Sequence, residues 1–401
     1  MGARPAETAP DGADPLGVGG ADEARNIPRT LVLTGHFPPE PGGVQTFTWE
    51  LVRRLPADRL LVVAPAWPGA GDFDAGLGFP VVRRRGYLLF RRLRRLVRQH
   101  ELAACWITAM APFGLYAPFV RAAGMKPLVA SSHGQELGWV RALPTRLAMR
   151  GMTRAVDTLT YLSEATLREL RLGVAGRTRL VQLPGGVDCA RFAPDLDAGA
   201  LRDRYAPAGG PLVLSVSRLV RRKGHDVLLR AWREVVRREP RARLVVVGDG
   251  PMRRRLAEDA AGEFPDSVVF AGPVPPAELP PHYAAADVFV APCRDDRREL
   301  QTEGLGLSTL EAAASGLPVV VGRSGGSAMS VRDGHTGLVV DARGPAPVAG
   351  ALLTLITRPD LARAMGAAGR RWALEHWAWE HAAARLAAAL RGDGAPHPRR
   401  S

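Results

Sequence analysis

Glu303 and Glu311 stand eight residues apart around the glycines of Thr302-Glu-Gly-Leu-Gly-Leu307, a turn that opens a helix. Glu303 follows the apolar run Asp287-Val-Phe-Val-Ala291, so it falls beyond the carboxyl end of a strand, where open α/β sheets bind ligands. Glu311 is placed about two turns into the helix. A carboxylate accepts hydrogen bonds and cannot donate, so this pair suits adjacent hydroxyls such as a ribose diol or a hexose edge. Taken alone, the same residues equally fit a Glu favoured by the helix dipole and a second Glu on a wet face.

A second constellation lies upstream. Leu212-Val-Leu-Ser-Val-Ser217 runs into Arg218-Leu-Val-Arg-Arg-Lys223-Gly224 and then an amphipathic helix. Such a loop brings Arg218 and Lys223 to the point where a strand end and a helix N-terminus converge on an anion. Arginine offers a planar fork for phosphate oxygens and lysine a compact charge, so the two are complementary on a diphosphate. Of 54 basic residues only Lys126 and Lys223 are lysine, which singles out Lys223 as a place where arginine does not serve. Arg221 and Arg222 read as a solvated charge run.

Three further groups of residues need weighing. Gly42 and Gly43, ahead of a helix near Val44, would let the backbone approach a phosphate or sugar, although a lone Gly-Gly also makes an ordinary tight turn. His133 follows the strand Pro127-Leu-Val-Ala-Ser131; in isolation such a histidine is more often structural than catalytic. Asp295-Asp296 lacks an Asp-x-Asp spacing and sits among Arg294, Arg297 and Arg298, so it reads as a solvated ion-pair loop. No metal site is expected, because Arg218 and Lys223 already supply the cations a diphosphate needs.

The elements that position these residues alternate as α/β units do. Short apolar strands are expected at 30–34, 60–64, 105–108, 128–131, 158–162 and 180–183, with helical patterns between them. Residues 190–211, rich in Pro, Asp and Gly, read as a linker. A second series follows at 212–217, 244–247, 268–270, 288–291, 319–321 and 338–340. The fold class is therefore α/β, with two doubly wound Rossmann-like domains facing a cleft, over 27–192 and 208–372. Residues 372–390, rich in Ala and Trp, form a final helical segment.

With 401 residues, 46% of them apolar, the chain is long enough for two cores. Residues 1–26 read as a disordered tail without the apolar region of a signal peptide, and no run is long enough to span a bilayer. Cys105, Cys189 and Cys293 are widely spaced and fit a reducing, cytoplasmic setting. The formal charge of +14 is almost wholly arginine in an Ala-, Gly- and Pro-rich chain, a bias of GC-rich coding. No zinc-finger spacing, aromatic RNA-binding strand or basic zipper accompanies it, so nucleic acid is not an expected partner.

Several motifs together carry a resemblance. Ser217-Arg-Leu-Val, Lys223-Gly224, Val245-Val-Val-Gly-Asp-Gly-Pro251, Glu303 with Glu311, and Gly316-Leu-Pro-Val-Val320 resemble the retaining glycosyltransferases of family 4. Phe37-Pro-Pro39 with Gly42-Gly43, His133-Gly-Gln-Glu136 and Pro184-Gly-Gly-Val-Asp188 extend the likeness over about residues 28 to 391. Within the family the chain is similar to actinobacterial GDP-mannose-dependent phosphatidylinositol monomannoside mannosyltransferases, through His133-Gly-Gln-Glu-Leu-Gly-Trp139, Thr160-Tyr-Leu-Ser163, Glu303-Gly-Leu-Gly-Leu307, Ser324-Gly-Gly326 and Met365-Gly-Ala-Ala-Gly-Arg370. It departs from that group at Arg297-Arg-Glu-Leu-Gln-Thr302 and at Ser327-Ala-Met-Ser330.

The resemblance implies a GT-B architecture of two Rossmann-like domains, with a helix at 373–391 crossing back onto the first. It implies that the loop at Gly42 and Gly43 meets donor phosphate and acceptor, and that His133 contacts the transferred sugar. The expected catalytic residues are Arg218, Lys223, Glu303 and His133. Donor-binding residues are Gly42, Gly43, Arg218, Lys223, Val274, Glu303, Gly304, Leu305, Gly306, Leu307 and Glu311, with Val274 touching the base through its backbone and Ser324-Gly-Gly326 near the pocket.

The expected activity is retaining, metal-independent, cofactor-free transfer of a hexose from a nucleotide-sugar donor, GDP-mannose or another NDP-sugar, to a lipid acceptor such as a phosphatidylinositol mannoside. Rival readings are a family 4 hexosyltransferase with another UDP- or GDP-sugar and a polysaccharide or natural-product acceptor, a sugar-nucleotide epimerase needing no acceptor, and a non-catalytic sugar-nucleotide-binding protein. The expected location is cytoplasmic and peripheral, at the inner face of the plasma membrane. There the arginine-rich segment 83–98, read as one helix with Leu89, Leu93 and Leu96 on a stripe, would meet an anionic membrane surface. The oligomeric state is left open.

Overall fold

The computed structural model describes residues 26–84, 90–134, 136–295 and 305–393. Seven strands, β1 Thr30–Leu33, β2 Leu60–Pro65, β3 Val81–Arg84, β4 Ala104–Ile107, β5 Leu128–Ser131, β6 Thr158–Tyr161 and β7 Arg179–Gln182, form one parallel sheet in the order β3-β2-β1-β4-β5-β6-β7. Six more, β8 Leu212–Val216, β9 Arg243–Val247, β10 Val268–Gly272, β11 Val288–Ala291, β12 Val319–Gly322 and β13 Gly337–Val340, form a second in the order β10-β9-β8-β11-β12-β13. The central strands are apolar and buried along their whole length because helices cover both faces, as parallel sheets require. In each sheet the strand order reverses once, between β1 and β4 and between β8 and β11, which makes both doubly wound.

All twelve expected strands are present, and β3 is an addition. Its residues are half-buried on both sides at the sheet edge, so Val81-Val82 ahead of two arginines carries neither a core run nor an alternation. This corrects the reading of 83–98 as one helix: Arg83 belongs to β3, where Asp74 holds it at 2.7 Å, and the helix begins at Phe90. Residue 89 lies outside the described residues. Two other expectations change. The linker carries a helix, Gly199–Tyr205, tied down by Arg202 to Asp287 at 2.7 Å. The helix after Gly306 starts at Leu307, so Glu311 lies one turn into it and not two.

The final helical segment is also broken. A helix Pro359–His376 packs in the second domain, the backbone leaves helical geometry at Trp377, and Trp379–Arg391 restarts on the first domain. Its Trp379, Ala383, Leu386 and Leu390 enter a core with Phe47, Leu51, Val129 and Leu183. Here the two chain crossings are pinned together: Val187 N–H donates to Trp377 O at 2.8 Å, and Trp379 N–H to Val187 O at 3.4 Å. A Cβ on Gly186 would lie 2.8 Å from Trp379 Cα, so only glycine permits the approach. Around the crossing Arg53 and Arg54 join Glu50, Asp188 and Glu380 in one ionic cluster.

Trp379→Ala removes the ring that seats the returning helix and is expected to cost about 3 to 5 kcal/mol. Leu374→Ala, at a 44% exposed position in the preceding helix, is expected to stay within about 0.5 kcal/mol. Thermal unfolding of the two variants checks this; equal melting temperatures would remove the crossing from the stability of the fold.

Candidate functional site

The loops that leave the carboxyl ends of β8, β9, β11 and β12 converge. After β8, residues 217–224 carry Arg218, exposed, and Lys223, partly buried, up to the N-terminus of the helix His225–Arg238. The β9 loop braces this segment: Leu219 N–H donates to Asp249 O at 2.8 Å and Met252 N–H to Leu219 O at 3.1 Å. A Cβ on Gly248 would strike Ser217 O, and one on Gly224 would strike Pro292 O beyond β11. Both glycines have positive φ, 130° and 75°, so the close approach and the backbone conformation demand the same residue. Arg294 N–H closes the ring of loops on Arg222 O at 2.9 Å.

The electrostatics favour an anion at this junction. Asp226, the acid in the first turn of the helix, accepts from Arg294 on both oxygens at 2.8 Å. His225 is buried, with Nε2 3.3 Å from Ser215 Oγ and Nδ1 without a partner. Burial first, and the adjacent Lys223 second, push its pKa down to about 4, so the imidazole is neutral here. What remains is a helix N-terminus with Arg218 and Lys223 beside it, an arrangement suited to phosphate.

Next to it the helix Leu307–Ala314 begins at Gly306, whose φ of 77° is left-handed. Leu305 is buried and Leu307 partly so; a Cβ on Gly185 would lie 2.9 Å from Leu307 Cδ2 and 3.2 Å from Leu305 Cδ2. Their side chains therefore pack on the interdomain crossing, and what they offer a ligand is backbone. Glu311 is partly buried and accepts the Tyr283 hydroxyl at 2.6 Å. Desolvation raises its pKa, opposed by the Tyr283 bond and by Arg191. This replaces the wet-face alternative: Glu311 is a held carboxylate. Val274 lies in the loop after β10, partly buried against the same core.

Asp295 is exposed and accepts from Ser324 Oγ at 2.7 Å, which ties it to the turn after β12, while Arg297 and Arg298 lie outside the described residues. The departure Ser327-Ala-Met-Ser330 is a single 3-10 turn whose buried hydroxyls bond back to Gly322 O, Ser324 O and Ser327 O. Glu303, Gly304, Gln135 and Asp296 lie outside the described residues. Among the described residues no three His, Cys, Asp or Glu side chains group as metal ligands.

The first domain supplies a separate cluster. Gly43 opens the helix Gly43–Val52, Gly42 precedes it, and Phe47 of that helix stacks edge-on against His133 with centroids 4.9 Å apart. His133 Nε2 lies 2.6 Å from Thr108 O, so Nε2 carries the proton and donates. Burial lowers its pKa, against the pull of Glu136, which also accepts from the His133 backbone at 3.0 Å and from Ser132 Oγ at 2.9 Å. The structure thus places Arg218 and Lys223 on the loop after β8, Gly306 and Glu311 at the helix Leu307–Ala314, and Gly42, Gly43 and His133 on the first domain, with Leu307 at the seam. Sequence reasoning missed Tyr283, His225, Asp226 and Arg294; only the proximity of the last three to motif residues hinted at them.

Comparison with known proteins gives this arrangement its class. Residues 210–358 match the model described as "Glycosyl transferases group 1", and residues 41–191 the one described as "Glycosyltransferase Family 4". A crystal structure of Anabaena HepE in complex with UDP superposes with a TM-score of 0.76 at 19% identity, covering 91% of this chain and 100% of that one. That of WaaG, a glycosyltransferase involved in lipopolysaccharide biosynthesis, gives 0.63 at 17%, covering 90% and 100%. The architecture is GT-B, that of nucleotide-sugar-dependent glycosyltransferases. The GDP-mannose-dependent alpha-(1-6)-phosphatidylinositol monomannoside mannosyltransferase of Mycolicibacterium smegmatis is 42% identical over 379 residues, 90% of this chain and 98% of that protein. The monoacylated-acceptor mannosyltransferase of Corynebacterium glutamicum is 34% identical, over 91% and 98%. The chain belongs to glycosyltransferase family 4 and is a glycosyltransferase.

Burial of neutral His225 sets a pH dependence. Unfolded, the ring takes up a proton near 6.5; folded, only near 4. Stability present above pH 6.5 is therefore lost as pH falls toward 4, by up to about 3 kcal/mol. His225→Asn is expected to flatten that part of the curve of melting temperature against pH; a slope equal to the parent's between pH 6.5 and 4 would overturn the assignment. Tyr283→Phe strips a partner from Glu311 and is expected to cost about 1 to 3 kcal/mol, read by thermal unfolding; a variant as stable as the parent would contradict the held carboxylate.

Proposed function

We propose that the chain transfers mannose from GDP-mannose, with retention at the anomeric carbon, to a lipid acceptor of the phosphatidylinositol mannoside type. The observation that carries this reading is the 42% identity to enzymes named for that donor and acceptor, sustained across both domains. In this reading the donor lies on the second domain and the acceptor enters from the first. Arg218 and Lys223 hold the diphosphate and stabilise it as it leaves, electrostatic work that requires charges fixed in advance. The amides at Gly306 and Leu307 cap the phosphates, Glu303 orients the sugar hydroxyls, Glu311 takes the ribose diol and Val274 meets the base. Glu311 keeps one oxygen on Tyr283 and offers the other. On the first domain Gly42 and Gly43 approach the donor phosphate, and the His133 backbone and ring border the transferred sugar.

No helix among the described residues is long and apolar enough to cross a membrane. A lipid acceptor then requires peripheral attachment, which we place at the inner face of the plasma membrane. The test is incubation of the purified protein with labelled GDP-mannose, UDP-glucose or UDP-GlcNAc and a lipid extract. Label is expected in lipid from GDP-mannose alone; transfer from a UDP-sugar instead would move the reading to another hexosyltransferase, and turnover without acceptor to an epimerase.

Two consequences of the site are measurable. Lys223→Ala is expected to lower kcat by about a hundredfold or more while changing donor affinity far less, since the lost contact strengthens as the diphosphate departs. Unchanged kcat would remove Lys223 from the reaction. Because the positive charge is supplied by the protein, transfer is expected to persist in excess EDTA, and complete loss restored by Mg²⁺ or Mn²⁺ would overturn metal independence.

A further inference from the structure

Two neighbouring helices on the flank of the first sheet turn apolar side chains outward. In Leu143–Thr153 the buried residues are Met149, Met152 and Thr153, while Leu143, Pro144, Leu147 and Ala148 are exposed. In the adjacent segment Tyr116, Ala117 and Val120 are buried, while Leu115, Pro118 and Phe119 are exposed. The two pack side by side: a Cβ on Gly114 would lie 3.1 Å from Met152 Sδ, and Arg121 donates to Ala155 O at 2.8 Å. Leu115, Phe119, Leu143 and Leu147 are 53, 48, 63 and 57% exposed. Leu172, also exposed, joins the same helix where Arg150 donates to its carbonyl at 3.0 Å. Five of the seven large exposed hydrophobic residues of the described chain thus gather on one flank. A helix apolar on its outer as well as its inner side belongs against a partner, and contiguous patches of this kind mark interaction surfaces.

Charge identifies the partner. Between residues 109 and 157 the chain holds Arg121, Lys126, Arg141, Arg146, Arg150 and Arg154 against two acids, Glu136 and Asp157, and Asp157 pairs with Arg121 at 2.7 Å, which leaves Lys126, Arg146, Arg150 and Arg154 as the excess. Glu136 is buried under the Ser132 and His133 bonds and presents nothing outward. Arg141 is paired with Glu169 across the rim at 2.9 Å. An apolar face inside a basic rim matches an anionic bilayer on both counts: leucine and phenylalanine enter the acyl boundary, and arginine stems lie along them while the heads meet phosphate. The patch also adjoins the site, because the helix Glu136–Arg141 leads from the loop of His133 to Leu143.

We propose that this flank, Leu115 and Phe119 with Leu143 and Leu147, docks on an anionic lipid surface and sets the acceptor side of the first domain against it. The proposal rests on the lipid acceptor reading and adds the surface that reaches it. It differs from attachment through the helix Phe90–Gln99, whose described arginines Arg94, Arg95 and Arg98 are exposed but whose Leu93 is buried in the core. That helix offers charge alone; the flank at Leu143 offers insertion.

Flotation of the full chain with phosphatidylcholine vesicles, with and without an added anionic phospholipid, tests it. The parent is expected to float with the anionic vesicles. The double variant Leu143→Glu, Leu147→Glu is expected to lose at least about tenfold in partitioning, from lost apolar burial and added negative charge. Leu115→Ser with Phe119→Ser, a milder pair, is expected to weaken binding in the same direction, whereas Arg94→Gln, Arg95→Gln, Arg98→Gln is expected to bind within a few-fold of the parent at moderate salt. Equal flotation of the parent and both apolar variants would overturn the proposal. So would a concentration-dependent dimer of the parent, by light scattering, that Leu143→Glu, Leu147→Glu abolishes, since the face would then be an interface between copies. Transfer from GDP-mannose to detergent-dispersed lipid separates the two readings: the Leu143→Glu, Leu147→Glu enzyme is expected to retain it, and its absence in a parent that still floats would overturn the acceptor reading alone.

Discussion

Residues 185–188 and 377–379 lie against each other with no side chain between them at Gly186, and the two crossings of the chain between the domains meet at this contact. Two backbone hydrogen bonds and the Trp379 ring fix where the chain leaves the first domain and where it returns. The same crossing receives Leu305 and Leu307 on Gly185, so the first residues of the donor-side helix are seated on the hinge itself. A site assembled from loops of two sheets depends on such a seam, because neither half holds the cations, the carboxylate and the histidine together.

The chemistry of the second domain follows from how its charges are distributed between burial and solvent. Asp226 and His225 are the two titratable groups that open the helix after Lys223, and each is neutralised differently. Arg294 takes the carboxylate, while burial discharges the imidazole. Arg218 stays exposed with its fork available, and Lys223 stands beside a helix N-terminus whose field adds to its own. On the neighbouring helix Glu311 is held by Tyr283, which itself packs edge-on against Phe192 and tilted against Phe289. The carboxylate is thus held in place by an aromatic core, with its side-chain entropy already spent in the fold.

The legible part of this protein was backbone-determined. Twelve strands were visible as short apolar runs, the central ones buried along their whole length as in Val319-Val-Val321, and glycines at positive φ such as Gly224 and Gly306 marked the loops beyond strand ends. What escaped was set by tertiary contact. Val81-Val82 becomes a strand only because β2 offers an edge, and Arg83 turns inward because Asp74 and the Pro65 carbonyl wait there. Tyr283 sits in Leu-Pro-Pro-His-Tyr-Ala, a stretch with no chemical signature, and meets Glu311 across 28 residues. The break at Trp377 likewise needs Val187, whose two bonds replace the helical ones that end there.

The surplus of arginine is the feature most easily misread. Spread over the chain it resembles a general affinity for polyanions, yet the folded molecule spends much of it on pairs: Arg237 and Arg238 share Glu234, Arg254 faces Glu258, Arg343 wraps Asp341. Exposed pairs of this kind are worth little in stability and cancel locally as charge. Arginine becomes informative where acids are missing. The loop at Arg218 and Lys223 and the stretch 109–156 are two such regions, besides residues 75–100, and these two differ in what surrounds the charge. The loop brings backbone and charge together at a helix N-terminus, whereas the flank surrounds its charge with leucine and phenylalanine that are about half exposed. A diphosphate fits the first geometry and a lipid surface the second, which is the combination an enzyme joining a soluble sugar nucleotide to a membrane-bound acceptor requires.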